Sequence, residues 1–499
     1  MADLRSRFDE LLRRLGEISD LERVASLLAW DQETKMPPLG APARAEQQGT
    51  VARLAHKLAT APELGELLEE LRELEESCER ESLEARVVRV ARRDYEKKRR
   101  VPSELRAEMT RAGSRGYRAW LDARSAGDFE LLRPHLERRL ALMHEYVACY
   151  EPFDDAYDVL LDDHEPGMRT ADVAAIFARL KEELVPLVAG VREPVDDSCL
   201  HGDFPPDRQR EFALEVLSRW GMDDRAWRLD DTVHPFASTI SEGDIRLTAR
   251  FDRDNLVGIL SCLHEFGHGL YERQVDERYA RTPLYEGASS SFHESQSRLW
   301  ENVVGRSLPT WRFFYPRLQE AFPAQLGGVP LEVFHRALNR VAPSLRRVDA
   351  DEVTYPLHVV LRFELEREML AGDVAPADLP EAFDAKLREY LGVEPPTVVE
   401  GVLQDVHWSD GNFGYFPTYA LGNVISVQLW ERATTDLDLD REFERGEFGS
   451  LGEWLREHVH RWGRAFEPPE LLERVVGGPL DAEPYLAYLR LKFETIGGG

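Results

Sequence analysis

His264-Glu265-Phe266-Gly267-His268 sets two imidazoles four residues apart with a carboxylate between them. On a helix, residues i and i+4 lie one above the other, so two ring nitrogens can reach one divalent ion at roughly 2.0 to 2.1 Å. Glu265 falls on an adjacent face. From there it can take a proton from a water whose pKa a bound ion has lowered to about 7. The same five residues also fit a buried helix whose histidines find ordinary hydrogen-bond partners, so the surroundings must decide.

The surroundings favour a helix carrying the HExxH arrangement of metallopeptidases. Leu256, Ile259, Leu260, Leu263, Phe266 and Leu270 recur at helical spacing around the histidines, and Asp254-Asn255 can cap the start. A catalytic zinc takes three protein ligands and leaves one position open. The candidate third ligand is Glu294, in Ser291-Phe292-His293-Glu294-Ser295-Gln296-Ser297-Arg298-Leu299-Trp300-Glu301-Asn302. This segment reads as a second helix with Phe292, Leu299, Val303 and Val304 as its packing face and Glu294, Arg298 and Glu301 as one polar stripe. Ser291 with Glu294 also fits a capping box, and Glu294 with Arg298 an ordinary i,i+4 ion pair.

HEFGH followed by HESQSRLWEN, with Glu294 thirty positions after His264, resembles the carboxypeptidase Taq family of metallocarboxypeptidases. Further motifs match in order. Asp244-Ile245-Arg246-Leu247-Thr248 is similar to the family's DxRxT, and residues 401–408, Gly401 to Trp408, to GxxQDxHW. Residues 413–419 fit the aromatic segment that follows, and Trp30 to Glu33 with Met36-Pro37-Pro38 fit the N-terminal region. The family's IRxxAD is Arg346-Arg347-Val348-Asp349-Ala350-Asp351 here, with arginine where isoleucine is usual. The matches run from about residue 20 to about residue 490.

The resemblance implies a mainly α, large helical metallopeptidase with a deep groove, and a homodimer. It implies one divalent metal per chain on His264, His268 and Glu294, with Zn2+ first and Co2+ or Mn2+ compatible. Glu265 is the expected base. The tetrahedral oxyanion needs a donor besides the ion, and His407 is the first candidate, with Tyr415 or Tyr419 second; His407 also fits a structural partner of Asp405. A free C-terminal carboxylate in so acidic a protein needs a fixed cation. Arg347 is the first candidate and Arg246 the weaker, since each also fits a structural ion pair with neighbouring acids. The expected reaction removes single residues from peptide C-termini with broad side-chain tolerance, except near proline. An oligoendopeptidase or dipeptidase on the same scaffold, or a non-catalytic peptide-binding protein with a structural metal, stands as the alternative.

These residues need elements to hold them. Residues 1–190 are rich in Leu, Ala, Glu and Arg at helical period and read as an N-terminal helical cover, with 64–100 as a long solvated hairpin. A proline-rich acidic stretch, Val191 to Asp207, marks a boundary, and residues 191–499 form the catalytic region. Ile245 to Phe251 alternates as a strand does, predicting a small β-sheet beside the HExxH helix. Residues 413–430 carry no charge, but Pro417, Gly414, Gly422, Asn423 and Gln428 interrupt them, which fits protein interior better than membrane.

Composition agrees: 43% hydrophobic residues over 499 positions bury a large core. A formal charge of −29 argues against nucleic acid and anionic membrane as partners; the resemblance implies peptides with a free C-terminus as substrates. Arginine far outnumbers lysine, which fits either a high-salt cytoplasm or a thermophile. Cys78, Cys149, Cys199 and Cys262 show no CxxC spacing. The first residues are charged throughout and lack an apolar signal core, so a cytoplasmic location is expected.

Overall fold

The structure, a computed structural model, describes residues 2–191 and 195–496. Part of the expected boundary stretch, residues 192–194, lies outside the described residues. The fold is mainly helical, as expected. Its first element, the helix Ala2–Thr34, is built largely from residues that lose little rotamer freedom in a helix. It docks through Trp30, which is buried beneath the guanidinium groups of Arg246 and Arg228, 4.2 and 4.9 Å from its ring.

Residues 64–100 fold back on themselves but are not solvated throughout. They fall in three helices, Pro62–Glu70, Arg72–Ser77 and Leu83–Arg100, the last capped by Ser82. Val87, Val88, Ala91 and Tyr95 make one face of the last helix and are buried. Most of the charge thus lies on the outer face, with Arg86 buried against Phe466 as the exception, and a purely charge-based reading overlooks the stripe beneath it.

The sheet found among the described residues has strands β1 (Trp227–Asp231), β2 (Ala237–Ser241) and β3 (Asp244–Ala249) in the order β1-β3-β2. The alternating segment is β3. It runs parallel to β1, with Trp227 opposite Ile245, and antiparallel to β2, with Ala237 opposite Leu247. The sheet lies against the helix Val257–Arg273, so close that a Cβ on Gly269 would come within 2.6 Å of Trp227 and 2.9 Å of Ile245. Asn255 helps start that helix by accepting from Val257 N at 3.0 Å. The Asp254 carboxylate, the other half of the expected cap, accepts from the Asn255 side chain at 2.9 Å.

Buried apolar side chains among the described residues gather in two cores. One joins Leu11, Ile245, Phe266 and Trp300. The other joins Phe177, Leu361, Phe363 and Phe416. Both draw on chain from either side of residue 190. The helix Phe416–Asp436 belongs to both, giving Leu421 and Val424 to the second core and Ile425 and Leu429 to the first. It contains most of the charge-free stretch, and burial on nearly every face explains its composition. Among the described residues, no helix is long and apolar enough to cross a membrane.

Candidate metal centre

Phe266 anchors the centre from behind. It is fully buried among Trp220, Trp227 and Trp300, with ring centroids 5.4 to 5.7 Å away. Burying such a ring contributes about 1.5–3 kcal/mol. With Phe266 turned inward, His264, Glu265 and His268 line a cleft of about 880 Å3.

The helix Ser290–Arg298 crosses at Gly267, where a Cβ would stand 2.4 Å from the carbonyl oxygen of Gln296. Only glycine permits that approach, which brings Glu294 to the histidines. Glu294 Oε2 lies 3.8 Å from His264 Nε2 and 3.6 Å from His268 Nε2. Two donors bound tetrahedrally at zinc distances sit about 3.4 Å apart, so the spacing fits one ion. Among the described residues these three form the one group of this kind, with donor atoms within 4.8 Å of one another. The donor set, two imidazoles and a carboxylate, suits a divalent metal.

The capping-box reading of Ser291 does not hold. Ser289 caps this helix, accepting from Phe292 N at 3.2 Å. Ser291 instead gives its backbone N–H and its hydroxyl to Glu165, each at 2.5 Å. Glu165 is wholly buried, and burial pushes its carboxyl up to about 7. The ion pair does hold: Arg298 Nε donates to Glu294 Oε1 at 2.7 Å, leaving Oε2 turned to the histidines.

Behind the three donors stand residues that sequence reasoning had not given a role at the metal. After Arg298 the helix widens, with Gly305 N bonding Trp300 O five residues back. Glu301 on this turn accepts from His264 Nδ1 at 2.9 Å and from Arg298 Nη1 at 3.1 Å. Burial alone would raise the Glu301 carboxyl, but Arg298 and His264 hold it down at about 2. His268 Nδ1 meets His293 Nδ1 at 2.7 Å, and His293 Nε2 meets Glu272 Oε1 at 3.0 Å. A signal for Glu272 existed: it continues the i,i+4 series from His264 and His268. Glu265 is buried, and desolvation lifts its carboxyl to about 7, with His264 pulling the other way.

Tyr415 and Tyr419 line the same cleft, their rings 5.1 Å apart. His407 is not in that lining. It stands behind Tyr419, its Nε2 3.3 Å from the phenol oxygen. Burial depresses the His407 imidazole to about 4, against the pull of Asp405. Arg347 is also behind this wall. Its guanidinium lies 4.7 Å from the Tyr419 ring centroid and donates to Asp405 from Nε and Nη2, at 3.2 and 2.9 Å, and to Tyr355 from Nη1, at 3.0 Å. Arg362 takes the other oxygen of Asp405, Nε donating at 2.7 Å. Arg246 is elsewhere: it spends two donors on Asp244, at 2.8 and 2.7 Å, and stacks on Trp30.

A family model described as Carboxypeptidase Taq (M32) metallopeptidase matches residues 10–493. Thermostable carboxypeptidase 1 of Thermus thermophilus is 43% identical, covering 98% of this chain and 99% of its own length. Carboxypeptidase 1 of Bacillus subtilis is 37% identical, covering 98% of each. The crystal structure of M32 carboxypeptidase from Deinococcus radiodurans superposes with a TM-score of 0.95 at 41% identity, covering 99% of this chain and all of that one. Pyrococcus furiosus carboxypeptidase superposes with a TM-score of 0.95 at 35% identity, over 98% of this chain and 99% of that one. Similarity that runs the whole length of the chain in both sequence and fold makes it a member of the carboxypeptidase Taq (M32) family, a metallocarboxypeptidase.

Proposed function

We propose that the cleft takes the C-terminal end of a peptide and that His264, His268 and Glu294 hold the divalent ion, with zinc the resident metal. The observation carrying this reading is the meeting of three donor atoms with the Glu265 carboxylate in one cleft. When bound, the ion polarises the scissile carbonyl and acidifies water. Glu265 takes a proton from the attacking water and returns it to the leaving amine. Tyr415 and Tyr419 face the cleft and donate to the carbonyl oxygen as charge builds on it, and His407 orients Tyr419 from behind. This ordering gives the phenols the contact and His407 the supporting part.

Arg347 is our candidate for the terminal carboxylate. Of its five N–H donors, three are spent on Asp405 and Tyr355, which leaves two for an incoming anion. Recognition of backbone and carboxylate, with little side-chain reading, would give the broad tolerance expected, and proline's missing N–H and fixed φ would slow cleavage near it. A homodimer, carried over from the family resemblance, and a cytoplasmic location, read from the charged first residues, complete the proposal.

The test is a blocked dipeptide offered as its free acid and as its C-terminal amide, with zinc or cobalt and again after chelation. Chelator-sensitive release from the acid alone is expected. Equal cleavage of both would favour the endopeptidase alternative, and cleavage of neither would bring the binding-protein alternative forward.

A further inference from the structure

The two metal-facing histidines are supported differently. His264 Nδ1 meets a carboxylate directly. His268 Nδ1 reaches one through another imidazole, in the chain Glu272–His293–His268. The bonds fix where hydrogens lie. A carboxylate only accepts, so His293 Nε2 donates to Glu272 and, in the neutral ring, Nδ1 is bare. His268 must then donate from its own Nδ1, which leaves the Nε2 lone pair turned toward Glu294 Oε2. One arrangement satisfies all three groups and delivers the ligating nitrogen.

We infer that His293, held by Glu272, is a positioning residue that sets the ring orientation and tautomer of His268, and that Arg23 of the N-terminal helix steadies the far end of this chain. It rests on the reading of His268 as a metal ligand. His293 has little room to turn: Tyr271 packs 5.3 Å from its ring centroid, and a Cβ on Gly287 would come within 2.8 Å of its Cδ2. Glu272 Oε2 has no hydrogen bond of its own and lies 3.7 Å from Arg23 Nη2. Arg23 is in turn pinned to the backbone oxygens of Thr239 and Tyr285, at 2.9 and 3.0 Å. The cover helix is thereby linked to the metal centre through side chains alone.

The test measures Co2+ affinity by chelator competition and the visible spectrum of the Co2+-loaded protein for wild type, His293→Leu, His293→Gln, Glu272→Ala and Arg23→Gln. His293→Leu is expected to loosen Co2+ about 10- to 100-fold and change the visible bands, with the metal-free melting temperature unchanged. His293→Gln, whose amide accepts on one side and donates on the other, should regain most of the affinity and the bands. If His293→Leu melts early, Glu272→Ala gives the same reading with a smaller loosening, and Arg23→Gln a smaller one still. Wild-type affinity and spectrum in both His293→Leu and Glu272→Ala would overturn the inference, as would a His293→Gln no better than His293→Leu. A His264→Ala control that binds Co2+ like wild type would instead overturn the ligand assignment, and this inference with it.

Discussion

Two charged clusters are buried on either side of the Tyr415–Tyr419 wall, and they are unbalanced in opposite senses. On the cleft side Glu294 and Glu301 flank Arg298, and Glu265 and Glu272 line the same cleft as Glu294. Behind the wall Arg347 and Arg362 share a single Asp405, and His358 and His407 are both held below their ordinary values, chiefly by burial. Buried charge without a partner is costly. The first cluster holds more acid than base and the second more base than acid; in the proposed function the metal would answer the first and a substrate's terminal carboxylate the second. The contrast teaches that an excess of buried charge identifies the sign of what the site is built to receive.

The largest break in this comparison comes from emptying the acid side. Glu294→Ala should fail to retain zinc on dialysis and lose turnover altogether, read by metal analysis and peptide hydrolysis. Next, Glu265→Gln should keep its zinc while kcat falls by about 10²- to 10⁴-fold, since a general base is lost and no ligand is. Loss of metal in that variant would move Glu265 into the ligand set. On the basic side, Arg347→Met should lower kcat/KM for the free acid by about 10- to 100-fold, the worth of a charge-assisted hydrogen bond, and leave the poor amide substrate unchanged.

The smallest effect sharpens the second cluster. The folded His407 pKa is depressed to about 4, so as pH falls from about 6.5 the unfolded chain takes the proton first. Its contribution is full above about 6.5 and drains away down to about 4. His407→Gln should therefore show a shallower loss of Tm across that window; an unchanged slope would mean the imidazole titrates normally.

Much of this was legible in the sequence because it depends on local period. The i,i+4 histidines, the inward Phe266 and the Glu294-Arg298-Glu301 stripe all follow from one helical face, and the structure keeps each on that face. What Glu301 touches was not legible, since the widened turn over Leu299–Val304 and the crossing at Gly267 are tertiary events. His293 sat in a quoted motif without a role, because its partners come from another helix. Arg347 could be nominated from its motif, but its place behind Tyr419 needed the fold. Residues 64–100 do fold back on themselves, but the expectation that they are solvated failed where charge pattern outweighed the apolar stripe at Val87, Val88, Ala91 and Tyr95.

Gly422 carries a last consequence. A Cβ there would lie 2.6 Å from Glu294 Cγ, so nothing intervenes between the Phe416–Asp436 backbone and that side chain. The carboxylate is thus set by the spacing of two helices, one fixed in the first core by Phe292 and the other shared between both cores. It behaves as a gauge of how tightly the two halves are clamped. On heating, a drift of even an ångström between them would free the Glu294 side chain to swing from the histidines while both cores remain folded, so metal should escape at a lower temperature than the one at which helix is lost.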